Sequence, residues 1–223
     1  MLHKTLAWTL TTLAAAGGAG AVVTSTGLSA IALVLHLLEP GQRVLAPHDG
    51  YGGTFRLLRG YAAKGWIDVR FVDYRDGVAL ARELRDEDTR PRLVWIETPS
   101  NPLLRITDVA AVAAAAHRVG ALVAVDNTFL SPVLQRPLEL GADLVVHSTT
   151  KYLNGHSDVV GGAVIAKDAD LLRDLAWWGN AAGLVGSPFD SYLALRGLRT
   201  LHARIRAHLE NAEAIAEFLA HHP

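Results

Sequence analysis

Seven short, continuously apolar runs of residues recur along the chain, and they constrain its fold more than any other feature. The runs do not alternate between apolar and polar residues, as expected for strands that helices cover on both faces. Because helical stretches separate most of them, the pattern favours a doubly wound, mostly parallel α/β sheet with ligands bound beyond the carboxyl ends of its strands. The runs are AVVTS, RVLAP, VRFVD, LVWIE, LVAVD, LVVHS and GGAVIA.

The stretches between the runs carry helix signals of their own. Apolar residues at helical spacing and an N-capping Asp108 predict helices at residues 29–38, 108–118, 132–140 and 168–178. From Asp190 the pattern predicts a long C-terminal helix over about residues 190–222, with Gly197 as its weak point. At the N-terminus, leucines at helical spacing favour a first helix over a secretory signal; they are Leu2, Leu6, Leu10 and Leu13.

Composition limits what the 223-residue chain can do. Half of the residues are hydrophobic and 19% are charged, which indicates a globular protein, and the net charge of −1 gives no argument for binding nucleic acid or anionic membranes. The apolar run at residues 31–38 is too short to span a bilayer. The chain has no cysteine, which excludes disulfides and thiolate metal sites and fits a reducing, cytoplasmic compartment. The histidines show no metal-ligand spacing.

Lys151 follows the apolar strand LVVHS and the hydroxyls of Ser148 and Thr150. We expect a lysine there to be partly desolvated, which disfavours the ammonium form and frees the amine as a nucleophile. The hydroxyls can donate to an anion such as phosphate. Upstream, Asp126 ends the strand LVAVD, and a carboxylate in that place is costly to bury unless a cation pairs with it. Together these residues predict a site for pyridoxal 5′-phosphate (PLP).

Three further strand ends carry residues that suit the same cofactor. Gly27 and Leu28 open a helix after the first strand, so their amides can bind phosphate. Tyr51 lies in a glycine-rich loop where its ring can stack on a planar cofactor, and Asn101 lies between two prolines and can hydrogen-bond a phenolic oxygen. Taken singly, each has an ordinary structural explanation: a tight turn, a packed tyrosine or a proline-rich turn. All of these residues follow strands that end at the same edge of the sheet, and this coincidence indicates one site.

The chain resembles the Cys/Met-metabolism PLP-dependent enzymes, which have PLP fold type I. The matching runs keep the family's order and cover essentially the whole chain; they are STGLSAI, HDGYGGTFRLL, ETPSNPLLRITD, VDNTFLSP, HSTTKYLNGHSDVVGGAV, WWGN and FDSYLALRGLRTL. The resemblance implies that residues 1–223 form the large PLP-binding domain and end in a long linking helix. It also implies a further segment before this chain, with a tyrosine and an arginine that reaches a neighbouring subunit's phosphate. A smaller C-terminal domain would follow.

The resemblance also implies roles for the predicted site residues. Lys151 would form a Schiff base with PLP and then transfer protons, Asp126 would pair with the pyridinium nitrogen, and Tyr51, the second catalytic residue, would stack on the ring. Arg56 would help to hold a substrate carboxylate. The implied cofactor-binding residues are Gly27, Leu28, Tyr51, Asn101, Asp126, Ser148, Thr150 and Lys151.

The activity that the resemblance implies is γ-replacement on an O-acylhomoserine, in which cysteine displaces the acyl group and cystathionine forms, a step of methionine biosynthesis. The alternatives within the family are γ-lyase, β-lyase and homoserine-ester sulfhydrylase. A further alternative is a truncated, inactive module that binds PLP or forms oligomers. The implied partners are small amino-acid substrates and copies of the same chain, arranged as a dimer of dimers.

Overall fold

The seven predicted strands are present and form one sheet. The computed structural model of the protein describes residues 17–85 and 90–222, and the predicted N-terminal helix lies outside them. All the strands are short, and the central ones are mostly buried, which explains their unbroken apolar sequences. The strands are β1 (Gly20–Thr24), β2 (Arg43–Pro47), β3 (Asp68–Val72), β4 (Pro91–Glu97), β5 (Leu122–Asp126), β6 (Leu144–Ser148) and β7 (Gly162–Ala166).

Helices separate most of the strands, and none among the described residues is long and apolar enough to cross a membrane. Capping side chains set the starts of several: the hydroxyl of Thr26 accepts from the amide of Ser29, and the carboxylates of Asp108 and Asp168 cap two further helices. The helices are α1 (Gly27–Leu35), α2 (Gly52–Ala63), α3 (Gly77–Arg85), α4 (Val109–His117), α5 (Ser131–Leu134), α6 (Ala169–Ala181), α7 (Pro188–Leu198) and α8 (Leu201–Ala220).

The strand directions place the predicted site residues at one edge of the sheet. The strand order is β1-β7-β6-β5-β4-β2-β3, and only β7 is antiparallel to its neighbours. Strands β1 to β6 therefore all run in the same direction, which confirms the predicted mostly parallel sheet. The carboxyl ends of β1, β2, β4, β5 and β6 share an edge, where ligands bind in sheets of this kind.

Two apolar cores hold the helices on the two faces of the sheet. One core packs α3, α4 and α8 against alternate strand residues such as Val94 and Val123. The other packs α1, α2 and α6 against the opposite set, including Trp95 and Ala124. Because the central strands are covered on both sides, most of their residues have apolar side chains until the strand reaches the edge.

The predicted helix at residues 132–140 is wrong, because only α5 (Ser131–Leu134) is helical there. The chain turns extended at Gln135, whose carbonyl accepts from Asn127 Nδ2 at 2.9 Å and whose side-chain amide donates to Asn127 Oδ1 at 2.9 Å. Pro137 also disfavours a helical conformation of the residue before it. A side chain at the end of β5 therefore overrides the apolar spacing that predicted the helix.

The region predicted as one helix over residues 190–222 contains two. The long C-terminal helix is confirmed, but it begins at Leu201, and the shorter α7 (Pro188–Leu198) precedes it. The break follows Gly197, whose carbonyl accepts from the amide of Thr200 at 3.1 Å and from Arg204 Nη2 at 2.7 Å. Gly197 is thus the weak point that the sequence indicated.

Gly197 also packs too closely against the segment after Lys151 to carry a side chain. A Cβ there would stand 2.6 Å from the carbonyl oxygen of Leu153. We expect Gly197→Ala to lower the free energy of unfolding by about 1–3 kcal/mol. Gly60→Ala is the control, since Gly60 lies in α2 with nothing within 4 Å of its would-be Cβ, and it should raise stability by about 0.5–1 kcal/mol. Urea unfolding followed by circular dichroism measures both, and equal effects would contradict the packing argument.

Candidate active site

A cavity of about 270 Å³ lies at the shared edge of the sheet. All eight residues predicted to bind the cofactor line it: Gly27, Leu28, Tyr51, Asn101, Asp126, Ser148, Thr150 and Lys151. The prediction from the sequence had assigned no role to Thr26, Ile31, Glu97, Pro99, Thr128, Phe129, Val146 and Val160, which complete the wall. The strand ends that the sequence singled out therefore do meet in one place.

The start of α1 provides a cradle for an anion. The amide of Ser29 donates a hydrogen bond to the hydroxyl of Thr26, whereas the amides of Gly27 and Leu28 have no acceptor among residues 17–85 and 90–222. A Cβ on Gly27 would stand 2.9 Å from Cβ of Ser148, so only glycine lets the helix start this close to β6. Free amides and the helix dipole favour a phosphate here.

The hydroxyls of Ser148 and Thr150, predicted to lie beside this cradle, differ in whether they are free to donate a hydrogen bond to a phosphate. Thr150 Oγ1 donates to the carbonyl of Gly161 at 3.2 Å and accepts from the amide of Gly161 at 3.0 Å. A phosphate would therefore compete with that carbonyl for the Thr150 proton. The Ser148 hydroxyl lies beside Gly27 and has no hydrogen bond to a described residue, so it is the more available donor.

Asp126 is a carboxylate placed to hold a cation. Its Oδ1 accepts from the amide of Thr128 at 3.0 Å and from the Thr128 hydroxyl, which in turn accepts from the amide of Ser148 at 2.9 Å. Burial raises the pKa of Asp126, and the two bonds from Thr128 oppose that rise. The carboxylate thus lacks a positive partner within the described chain. The sequence missed Thr128, although a threonine two residues after an aspartate suits an Asx turn.

Lys151 presents an unpaired amine to the same cavity. Its backbone is fixed in a turn, where its amide donates to the carbonyl of Ser148 at 3.2 Å and its carbonyl accepts from the amide of Gly155 at 2.8 Å. The side chain is exposed, so the desolvation expected from the sequence is not seen. Within the part of the chain that the structure describes, Nζ has no hydrogen bond or ion pair, which leaves it free to react.

Tyr51 and Asn101 border the cavity from two loops, whereas Arg56 lies outside it. Tyr51 caps α2 and is 43% exposed, and a Cβ on Gly53 would stand 2.9 Å from Cζ of its ring. The ring therefore lies over the glycine-rich start of α2. Arg56 is exposed on α2 and does not line the cavity, so its role toward a substrate carboxylate stays a prediction.

Glu97 is a buried carboxylate that joins these two loops. Its Oε2 accepts from the amide of Tyr51 at 2.8 Å, its Oε1 accepts from the amide of Asn101 at 2.9 Å, and it pairs in register with Asp126 on the next strand. Burial first, and then the Asp126 carboxylate, raises the pKa of Glu97 to about 7. The residue could have been suspected from the sequence, because it ends a strand at the same edge.

The donor set fits PLP group by group. The free amides of α1 suit its phosphate, the Asp126 carboxylate its protonated ring nitrogen, the Lys151 amine its aldehyde, and the Tyr51 ring its aromatic face. With the seven-stranded, mostly parallel sheet, these features define the class as a PLP-dependent enzyme of fold type I. No group of residues that could hold a metal ion occurs among the described residues.

The model of the family described as Cys/Met metabolism PLP-dependent enzyme matches residues 3–223, and the chain belongs to this family. It is 56% identical over 208 residues to cystathionine gamma-synthase of Escherichia coli K12. The aligned region covers 93% of this chain and 53% of that protein. It is 48% identical over 199 residues to cystathionine gamma-lyase of Dictyostelium discoideum, covering 89% of this chain and 51% of the relative.

A solved structure gives the same picture. Cystathionine gamma synthase from Xanthomonas oryzae pv. oryzae, in complex with cystathionine, superposes with a TM-score of 0.95 at 58% identity. The match covers 98% of this chain and 56% of that one. The chain therefore spans about half the length of the curated relatives and of this structure.

Glu97 should make the stability of the cofactor-free chain depend on pH. Its pKa is raised from 4.5 to about 7 by folding, so its contribution is fully present below pH 4.5 and is lost as the pH rises through 7. We expect this group to lower the free energy of unfolding by up to about 3 kcal/mol between those limits. Urea unfolding at pH 5 and pH 8 measures the difference.

The comparison variants are Glu97→Gln, which cannot titrate, and Glu213→Gln, which alters an exposed glutamate on α8. The first should weaken the pH dependence of the free energy of unfolding and leave the part that the raised pKa of Asp126 contributes in the same direction, and the second should leave it as in the unsubstituted chain. Equal pH dependence in all three proteins would contradict the assignment of the titration to Glu97.

Proposed function

We propose that residues 1–223 are the PLP-binding large domain of an enzyme that replaces the acyl group of an O-acylhomoserine with cysteine to form cystathionine. The observation that carries this proposal is the single cavity that joins the unpaired Lys151 amine, the Asp126 carboxylate and the free amides of α1. The identity to the Escherichia coli cystathionine gamma-synthase, 56%, exceeds that to the Dictyostelium cystathionine gamma-lyase, 48%, and supports replacement over elimination.

The residues that line the cavity have different roles in this proposed reaction, according to their chemistry. PLP, when bound, supplies an electron sink for a carbanion at the substrate's Cα. Lys151 Nζ would hold the cofactor covalently and would serve as the base that takes the proton from the substrate's Cα. Thr128 orients the Asp126 carboxylate, which would keep the ring nitrogen protonated, and the amides of Gly27 and Leu28 would hold the phosphate.

The net reaction exchanges one bond at the substrate's Cγ. The Cγ–O bond breaks, the acyl group leaves as a carboxylate, and the sulfur of cysteine forms a Cγ–S bond as it loses its proton. Protons removed from Cα and Cβ return to the product, and Lys151 Nζ is the group of this chain placed to carry them. Arg56 on α2 is the residue that we assign to a substrate carboxylate.

We also propose that the protein acts in the cytoplasm on small amino-acid substrates and assembles as a homo-oligomer. Large apolar side chains remain exposed around α6 and α7, including Trp177 at 61%, Phe189 at 68% and Tyr192 at 54%. Such a group supports burial against another chain. Sedimentation of the protein at several concentrations measures the assembly.

Lys151 should be required for covalent attachment of PLP. Adding PLP to the chain should produce a visible absorbance band. Borohydride should replace this band with a near-ultraviolet one, because reduction converts the C=N bond to Nζ into a stable C–N single bond. Lys151→Ala should abolish the visible band and all turnover. Lys167→Ala is the control, since Lys167 is exposed at the end of β7 and does not line the cavity. A band that survives in Lys151→Ala would refute the assignment.

The products identify the reaction. With an O-acylhomoserine and cysteine, γ-replacement yields cystathionine. Elimination from the γ-position yields 2-oxobutanoate and ammonia, β-elimination from cystathionine yields pyruvate, and sulfide as the acceptor yields homocysteine. Cystathionine as the main product is the expected result, and a visible band without any of these products would instead indicate a PLP-binding module.

A further inference from the structure

Glu97 connects the two loops that carry Tyr51 and Asn101, and it does so through backbone amides. The bonds are 2.8 Å to the amide of Tyr51 and 2.9 Å to the amide of Asn101, one to each carboxylate oxygen. Tyr51 begins α2, and Asn101 lies four residues beyond Glu97 itself. With Glu97 only 6% exposed, water cannot replace either bond easily, so one side chain sets the position of both loop backbones.

The groups around Glu97 are mostly negative. Asp126 faces it from β5, where the two residues are paired in register, and Asp49 faces it from the loop before α2. Arg105 pairs with Asp49 at 3.4 Å and so offsets part of that second charge. Asp126 has no cationic partner among the described residues. A cation bound to Asp126 would therefore remove the main electrostatic obstacle to an ionised Glu97.

An ionised carboxylate suits the two bonds better than a protonated one. The carboxylate has two equivalent acceptor oxygens, whereas the neutral acid places a proton on one of them. Bonds from N–H groups to an ionised acceptor are also shorter and roughly twice as strong as neutral ones. The strength of the hydrogen bonds from the amides of Tyr51 and Asn101 to Glu97 should therefore depend on the charge next to Asp126.

We propose that Glu97 is a positioning residue for the cofactor: it fastens the backbones of Tyr51 and Asn101 to the end of β4, and a cationic ring at Asp126 tightens both bonds by favouring its ionised form. The inference rests on the proposed function, because PLP supplies that cation. Glu97 acts through Tyr51 and Asn101, which border the same cavity.

The first measurement is hydrogen exchange at the amides of Tyr51 and Asn101, without and with PLP. In the unsubstituted chain, PLP should increase the protection of both amides at pH 7. Glu97→Gln keeps the shape of the side chain but offers one acceptor oxygen, so at least one amide should exchange about tenfold faster and the response to PLP should be lost. Exchange without PLP tests the two bonds independently of the proposed function.

The second measurement is the dissociation constant of PLP, taken from the visible band. Glu97→Gln should raise it about tenfold while the band itself remains, because Lys151 is unchanged. In the unsubstituted chain the constant should rise as the pH falls below 7, and this pH dependence should weaken in Glu97→Gln. If Glu97→Gln does not fold, the pH dependence of amide protection in the unsubstituted chain provides the same test.

Ser100→Ala is the matched control, because Ser100 ties the same two loops by a different contact. Its hydroxyl donates to Asp49 at 3.0 Å and accepts from the amide of Arg105 at 3.2 Å, and neither Ser100 nor Asp49 lines the cavity. This variant should speed exchange at Arg105 and leave the amides of Tyr51 and Asn101 protected.

The outcomes separate the two proposals. If Glu97→Gln matches the unsubstituted chain in amide protection and in PLP affinity, the role of Glu97 is overturned and the proposed function stands. If Ser100→Ala weakens PLP binding as much as Glu97→Gln does, the effect belongs to the loops in general and the specific role is also overturned. If the unsubstituted chain forms no band with PLP, the proposed function fails, and the inference fails with it.

Discussion

The whole cavity depends on five strands, β1, β2, β4, β5 and β6, that end at the same edge of the sheet. The parallel strands bring backbone amides, a carboxylate, hydroxyls and a lysine from distant parts of the chain into one place. The antiparallel β7 contributes through its beginning, where Gly161 and Gly162 approach the cavity wall. A Cβ on Gly162 would stand 2.7 Å from the carbonyl carbon of Thr26. Glycine there lets the start of α1 pass directly over β7.

The electrostatic character of the site follows from the same register. Since β4 and β5 are paired, their last residues, Glu97 and Asp126, place two carboxylates side by side where burial already disfavours charge. The arrangement is unfavourable for the chain alone and becomes favourable when a cation joins Asp126. Binding energy from the cofactor thus offsets a cost that the fold contains, as is common where sites hold strained or desolvated charges.

Most of the fold and half of the residues that line the cavity could be predicted, because both follow from short-range patterns. Strands buried on both faces have unmistakable apolar sequences, and a polar residue just after one must lie at an edge. The helix predicted at residues 132–140 was wrong because the side chain of Asn127, eight residues before Gln135, donates a hydrogen bond to the Gln135 carbonyl. Arg56 illustrates a different limit: no helix was predicted at residues 52–63, and the direction of a long exposed side chain depends on contacts that spacing does not encode. Thr128 and Glu97 went unassigned because both act through another residue.

The cavity accounts for cofactor binding more directly than for the choice of reaction. Under the proposed function, the amides, hydroxyls and carboxylate assigned to PLP would serve replacement and elimination equally, since both reactions would begin with loss of the Cα proton to Lys151. The two reactions diverge after the Cγ–O bond breaks, when either a thiol reaches Cγ or the intermediate is released. Selectivity must therefore come from groups that admit and orient the second substrate. Under the proposed function, the loops of Tyr51 and Asn101 are candidates for this role, because both residues line the cavity and one side chain, Glu97, joins their backbones. The proposed function would thus assign to the same two loops both the holding of the cofactor and the shape of the space around the substrate.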